Sequence, residues 1–265
     1  MKKILLFFSI ILFLSACTGN QKTYYISMPN FKSTFEEYNH TNTNNPKVKI
    51  NDVEIIKSTF YSSYFEQSTL NQRINKSLEL LKKQLLEDSK ALLQSKGYII
   101  DNENPDYAFN IVINASLYED KVTRNSSLGG DSVESSFMII LEAQSHLNNL
   151  HQEDTFQSAT SSAKLNDPIV LNYPIKGQAS IESFRQVYSA VPTQVNETLA
   201  ASALEIDKVF VAFYKEITSS LKTSIKEIKE ETKTQENSEV QDVKQDDKKE
   251  EKITPYQNNE VIIFE

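Results

Sequence analysis

Apolar positions along the chain recur with two different periods, and the switches between them outline the elements. At 70–92, Leu70, Ile74, Leu78, Leu81, Leu85 and Leu92 repeat mostly at three- and four-residue spacing, which predicts an amphipathic helix with one apolar stripe. Thr69 with Gln72 fits a capping box at its start, and Gly97 can close it in a left-handed conformation. The same spacing returns at Leu199, Ala203, Ile206, Phe210, Phe213, Ile217, Leu221, Ile225 and Ile228. That predicts a second helix of about 30 residues, about 45 Å long at 1.5 Å per residue, long enough for its C-terminal part to project past the sheet.

Between the helices the period falls to two. Phe109, Ile111, Ile113, Ala115 and Leu117 alternate with Asn110, Asn114 and Ser116. Phe137, Ile139, Leu141 and Ala143 alternate with Ser136, Glu142 and Gln144. Each is a strand with one buried and one wet face, as in an antiparallel sheet covered on one side. KVKINDVEII (47–56) reads as a further strand, YII (98–100) as a short one, and the region around DTFQSAT (154–160) as a weaker one. The polar stretch 121–135, with Gly129-Gly130, reads as a mobile loop, and 166–192, with Pro168, Pro174 and Pro192, as an irregular excursion. Phe60, Tyr61, Tyr64 and Phe65 read as core or a covered edge. The fold class that results is α+β: a small antiparallel sheet packed on one face by two main helices, with a flexible N-terminal spacer and a disordered C-terminal tail.

The ends depart from this pattern. Lys2 and Lys3, the apolar run Ile4–Leu14 and small Ser15 and Ala16 have the layout of a secretory signal peptide, and the run is too short for a membrane span of about 20 residues. Cys17, the single cysteine of the 265 residues, follows at once. It has no partner for an internal disulfide and no neighbouring histidine to activate it. Leu14-Ser15-Ala16-Cys17 resembles the bacterial lipobox, which implies cleavage before Cys17, a diacylglyceryl group on its sulfur and a further acyl chain on the new amine. Several acyl chains together anchor stably, since each buried methylene is worth about 0.8 kcal/mol. Thr18, in place of an aspartate, implies by the same resemblance an outer-membrane destination, at the cell surface or on the periplasmic face.

The chain therefore divides into signal peptide 1–16, lipid anchor and polar spacer 17–46, α+β domain 47–229, and a charged tail 230–265. That tail ends in EVIIFE, whose Val261–Phe264 can add a strand to its own sheet or to a partner's edge. The formal charge of −8, made two units more negative by loss of Lys2 and Lys3, argues against nucleic acid as a partner. Neither GxGxxG nor a Walker-type loop occurs, and Ser-rich stretches lack a GxSxG elbow. His146 and His151, beside Glu153 and Asp154, have a spacing that suits solvated turn residues better than a tetrahedral metal site. No enzyme, cofactor or metal is expected, apart from the lipid on Cys17.

The order of lipobox, polar spacer, KVKINDVEII, leucine-striped helix ending in SKGYII, strands YAFNIVINASL and SSFMIILEAQ, and helix ALEIDKVFVAFYKEI resembles the neuraminyllactose-binding hemagglutinin family over residues 47–229. The family consists of outer-membrane lipoproteins described as sialic-acid-binding adhesins. Its sialic-acid motif is a basic hexapeptide after the first alternating strand, where this chain reads DKVTRN and keeps cations at Lys121 and Arg124. The resemblance thus implies a carbohydrate site at Lys121 and Arg124, with a guanidinium holding the sialic carboxylate and nearby Tyr118 as an aromatic platform. Partners implied are the membrane through the lipid, and sialylated host glycans. The alternative is a periplasmic accessory lipoprotein that binds an envelope protein machine through the domain.

Overall fold

The structure, a computed structural model, describes residues 22–36, 44–127, 130–152, 156–177, 184–186 and 191–228. The signal peptide, Cys17, Gly129 and residues 229–265, with Val261–Phe264, lie outside the described residues. In chain order the elements are β1 (Thr23–Tyr25), β2 (Lys47–Ile50), β3 (Glu54–Phe60), α1 (Ser63–Glu66), α2 (Thr69–Ser95), β4 (Ile99–Ile100), β5 (Tyr107–Ser127), β6 (Gly130–Asn149), β7 (Phe156–Lys164), β8 (Ile169–Gly177), β9 (Phe184–Gln186), β10 (Gln194–Asn196) and α3 (Glu197–Ser224).

The architecture is α+β. β5 and β6 form a long antiparallel hairpin at the centre of an eight-stranded sheet of order β4-β2-β5-β6-β8-β9, with β3 also on β5 and β7 also on β6. Strands β1 and β10 make a separate antiparallel pair. The sheet is larger than expected and mixed rather than antiparallel, because β2 and β3 both run parallel to β5, and β4 parallel to β2. The cause lies in the connection: helix α2 separates β3 from β5, and a strand–helix–strand crossover brings its second strand back in the same direction. KVKINDVEII is split at Asn51–Val53 into β2 and β3.

Period-two alternation is realised as read. Phe109, Ile111, Ile113, Ala115 and Leu117 of β5 are buried opposite Leu147, Ser145, Ala143, Leu141 and Ile139 of β6. Both long helices cover this face. The α2 stripe from Leu70 to Leu92 and the α3 residues Leu199, Ala203, Ile206, Phe210, Phe213, Ile217 and Leu221 are buried in one core with it. The cap of α2 is one residue earlier than expected: Ser68 Oγ accepts from Asn71 N at 3.2 Å. Gly97 closes the helix at φ +92°, and an added Cβ would stand 3.2 Å from Ile228 Cβ, so any side chain there is both strained and crowded. Residues 225–228, directly after α3, pack back on the domain. Ile225 is buried, and Ile228 N donates to Lys96 O at 2.8 Å.

Two polar stretches have more structure than their composition indicated. The expected loop 121–135 continues the β5–β6 hairpin, and the expected excursion 166–192 contains β8 and β9. In both, pairing with residues distant in sequence (Asp131–Phe137 with Ile169–Ile175) outweighs weak local propensity. The expected spacer 17–46 is likewise structured in part. β1 lies within it, Ile26 N donates to Thr193 O at 2.9 Å, and Phe31 is buried with its ring 5.3 Å from that of Tyr214.

Arg73 holds this N-terminal segment in place. Its side chain on α2 is 1% exposed. Nε and Nη2 donate to the two Asp207 carboxylate oxygens on α3, at 3.0 and 2.5 Å. Nη1 donates to Ile26 O at 2.9 Å and Pro192 O at 3.0 Å, and the second Nη2 proton goes to Ser27 O. All five guanidinium N–H groups are used, joining two helices, the N-terminal segment and the turn before β10. Burial raises the Asp207 carboxyl above its ordinary value in spite of the adjacent guanidinium.

Two outcomes follow from this packing. Ile113→Ala, which empties a fully buried position, is expected to cost about 2–5 kcal/mol in chemical denaturation, whereas Val112→Ala on the opposite face costs under about 1 kcal/mol. At the β4–β5 turn, a hydrogen bond from Lys47 and the N–H groups of Glu103 and Asn104 hold the Asp101 carboxyl down to about 2. A carboxyl depressed in the folded state stabilises above the usual carboxylate range and loses that contribution as pH falls towards 2. NMR titration is expected to find Asp101 near that value, and higher in Lys47→Ala.

Candidate functional site

The sheet face away from the helices has no covering element among the described residues, so its side chains decide what the domain offers to a partner. Cross-strand register sets three of them in a row: Phe60 of β3 beside Tyr118 of β5, and Tyr118 beside Met138 of β6. Residues paired in register share a face of the sheet. Phe60 is 69% and Tyr118 44% exposed, and Ile56 and Val170 are further exposed apolar residues on this face. Asp120 and Ser136 form the next row, level with Val170. Phe60, Tyr118, Glu119, Asp120, Ser136, Met138 and Pro168 line a cleft of about 290 Å³ here. Among the expected core aromatics, Phe65 is buried, but Phe60 is corrected to a surface position because even-numbered β3 residues point outward.

A buried carboxylate lies behind the cleft, on the core side of the sheet. Glu119, 3% exposed, accepts from Ser62 N at 2.7 Å, Ser135 Oγ at 2.6 Å and Tyr173 Oη at 2.9 Å. Burial, with the carboxylate beside it, pushes the Tyr173 hydroxyl far above its ordinary range, which keeps it a donor. Ser62 is where the chain leaves β3, so this network sets the end of that strand and with it the placement of Phe60 next to Tyr118.

The residues expected at a carbohydrate site are not assembled. Between Asp120 and Thr123 the β5–β6 register slips by one residue, and Lys121 takes φ +51° in the bulge. A one-residue slip exchanges the faces of everything beyond it. Tyr118 is on the uncovered face, whereas Arg124 pairs with buried Val133 and sits on the core-side face. Arg124 Nη2 already binds Asp131 Oδ2 at 2.9 Å, which holds that carboxyl below its usual range. Lys121 is exposed at the bulge. Sequence reasoning missed Phe60, Met138 and Glu119. Met138 and Ile140 carried a signal, as apolar residues in the otherwise wet row of β6.

His146 lies within β6, and His151 in the turn after it, with Nε2 3.4 Å from Asp106 Oδ1. No group of three or more potential metal ligands occurs among the described residues. Among them, too, no helix is long and apolar enough to cross a membrane.

Residues 1–18 match the family model described as prokaryotic membrane lipoprotein lipid attachment site. No curated protein matches the chain. Among solved structures, one likeness is to a protein from Helicobacter pylori described as a neuraminyllactose-binding hemagglutinin homolog, at 14% identity and a TM-score of 0.37, covering 73% of this chain and 91% of that one. Another is to a minor lipoprotein from Acinetobacter baumannii, at 10% identity and a TM-score of 0.21, covering 67% and 90%. Likenesses this distant say nothing of ligand or partner. The attachment site, whose matched residues include Cys17, supports a lipoprotein anchored to a membrane by lipid.

Proposed function

We propose that the protein is an adhesin-like outer-membrane lipoprotein, a non-enzymatic binding module whose uncovered sheet face holds a host glycoconjugate. The observation that carries the reading is the exposed pair Phe60 and Tyr118, in register on neighbouring strands. Two aromatic rings side by side offer an apolar surface to the C–H face of a pyranose. The Asp120 carboxylate and Ser136 hydroxyl in the next row are hydrogen-bonding groups for sugar hydroxyls. This chemistry suits the neutral sugars of a glycan. A sialic carboxylate would meet Asp120 on this face, while Arg124 is engaged by Asp131 on the other. Thr18 after Cys17 supports the outer membrane as destination.

A second reading has its own support. Ile56 and Val170 widen the apolar surface beyond a sugar-sized cleft, and exposed apolar patches of this kind also mark protein contacts. An accessory lipoprotein facing the periplasm would present this same surface to an envelope protein.

Phe60→Ser and Tyr118→Ser are expected to lower binding on a glycan array about tenfold each, equivalent to about 1.4 kcal/mol. Both positions are exposed, so the melting temperature should change little, and Arg124→Ala should bind as the parent does. Loss of binding in Arg124→Ala alone would overturn the choice of face. Protease added to intact cells should cleave the protein; survival until the outer membrane is opened would replace the adhesin reading with the accessory one.

A further inference from the structure

The distance between the lipidated cysteine and the folded domain is fixed by chain length. From Cys17 to Thr23 an extended chain covers at most about 20 Å, at 3.3–3.6 Å per residue, and Thr23 begins strand β1. That strand cannot peel away freely. It pairs with β10 through Thr23↔Asn196, Tyr24↔Val195 and Tyr25↔Gln194. Glu197 N donates to Lys22 O at 3.0 Å, and Arg73 holds the next two carbonyls, of Ile26 and Ser27. Whatever surface surrounds β1 is therefore kept within about 20 Å of the bilayer that holds the acyl chains.

The surface there has interfacial character. Tyr25 is 76% exposed and Tyr24 44%. Helix α3 starts directly after β10, and its solvent side carries an apolar stripe of Ala201, Leu204, Val211 and Ala212 interleaved with Lys208 and Lys215. Leu204 is 49% exposed on this stripe. Asp207 links the two parts, since it lies beside the stripe and binds the same Arg73 guanidinium as the tether carbonyls. The acidic groups beside the stripe are engaged: Glu205 is ion-paired to Lys208 at 2.7 Å, Asp207 to Arg73, and Glu197 accepts from Tyr24 Oη at 3.4 Å. From 201 to 215 the stripe extends about 20 Å along the helix. Apolar residues flanked by lysines whose stems reach outward, with Tyr24 at one end, match the headgroup–acyl boundary.

We infer that the outer face of α3, together with Tyr24, whose hydroxyl reaches Glu197 at the start of that helix, rests on the bilayer that carries the protein's own lipid, so that the anchor orients the domain as well as retaining it. Helix α3 packs its opposite side on the sheet, and Phe60 and Tyr118 are on the far side of that sheet. Docking through α3 thus aims the uncovered face away from the membrane. The orientation stands whether or not that face binds a glycan, because it depends only on tether and stripe.

The test uses the full lipidated protein in vesicles of phosphatidylethanolamine and phosphatidylglycerol, with single cysteines introduced as Leu204→Cys, Val211→Cys and, as control, Phe60→Cys. The sulfur of Cys17 is held in its thioether and does not react with a thiol-specific fluorophore. Nitroxide-labelled lipid should quench the fluorophores at 204 and 211 at least threefold more than the one at 60. Equal quenching at the three positions, or stronger quenching at 60, overturns the inference.

Discussion

A guanidinium removed from water must find an acceptor for each of its five N–H groups, and Arg73 finds them on three separate stretches of chain. Two are the carboxylate oxygens of Asp207 on α3, and three are backbone carbonyls at Ile26, Ser27 and Pro192. Burial on this scale is costly, as the raised carboxyl of Asp207 indicates. Such pairs often add little net stability over a well-packed apolar substitute. What Arg73 contributes is placement: apolar contacts can slide, but carbonyls aimed at a planar fork cannot. The helix pair, the N-terminal segment and the turn before β10 are thereby fixed in one arrangement, and the anchored end of the chain enters the domain at a defined point.

How much of this was legible depended on whether the signal was local. Both long helices and the buried faces of β5 and β6 were read correctly, because stripes such as Leu70–Leu92 and alternations such as Phe109–Leu117 need only neighbours to be recognised. The extension of the hairpin through 121–135 and the strands at 169–177 and 184–186 were not. Their residues are polar or include Pro174, and they become strands by pairing with segments distant in sequence. Arg73 gave a faint indication: it lies three residues after Leu70, within the apolar stripe, where a charged residue has to be paired. Phe31 and β1 were hidden in an asparagine- and threonine-rich stretch whose composition resembles a spacer.

The candidate site shows the same division. Tyr118 and Arg124 are close in sequence, and on an unbroken strand their even spacing would put both on one face. The bulge at Lys121 separates them, and nothing in DKVTRN announces it. Phe60 is instead brought to Tyr118 by a parallel pairing that only the α2 crossover creates. The cleft that results is lined by aromatic and acidic side chains rather than cationic ones, and it lies on the side of the sheet opposite the helices.

The most direct measurement is residue-resolved hydrogen exchange on the double variant Arg73→Met/Asp207→Leu, which removes the ion pair without leaving an uncompensated buried charge. If the clamp fixes the tether, the amides of Tyr24 and Ile26, at the hydrogen-bonded positions of the β1–β10 pair, lose their protection while those of Ile113 and Ile139 in the central hairpin still exchange slowly. Unchanged protection at Tyr24 and Ile26 would contradict the dependence on Arg73.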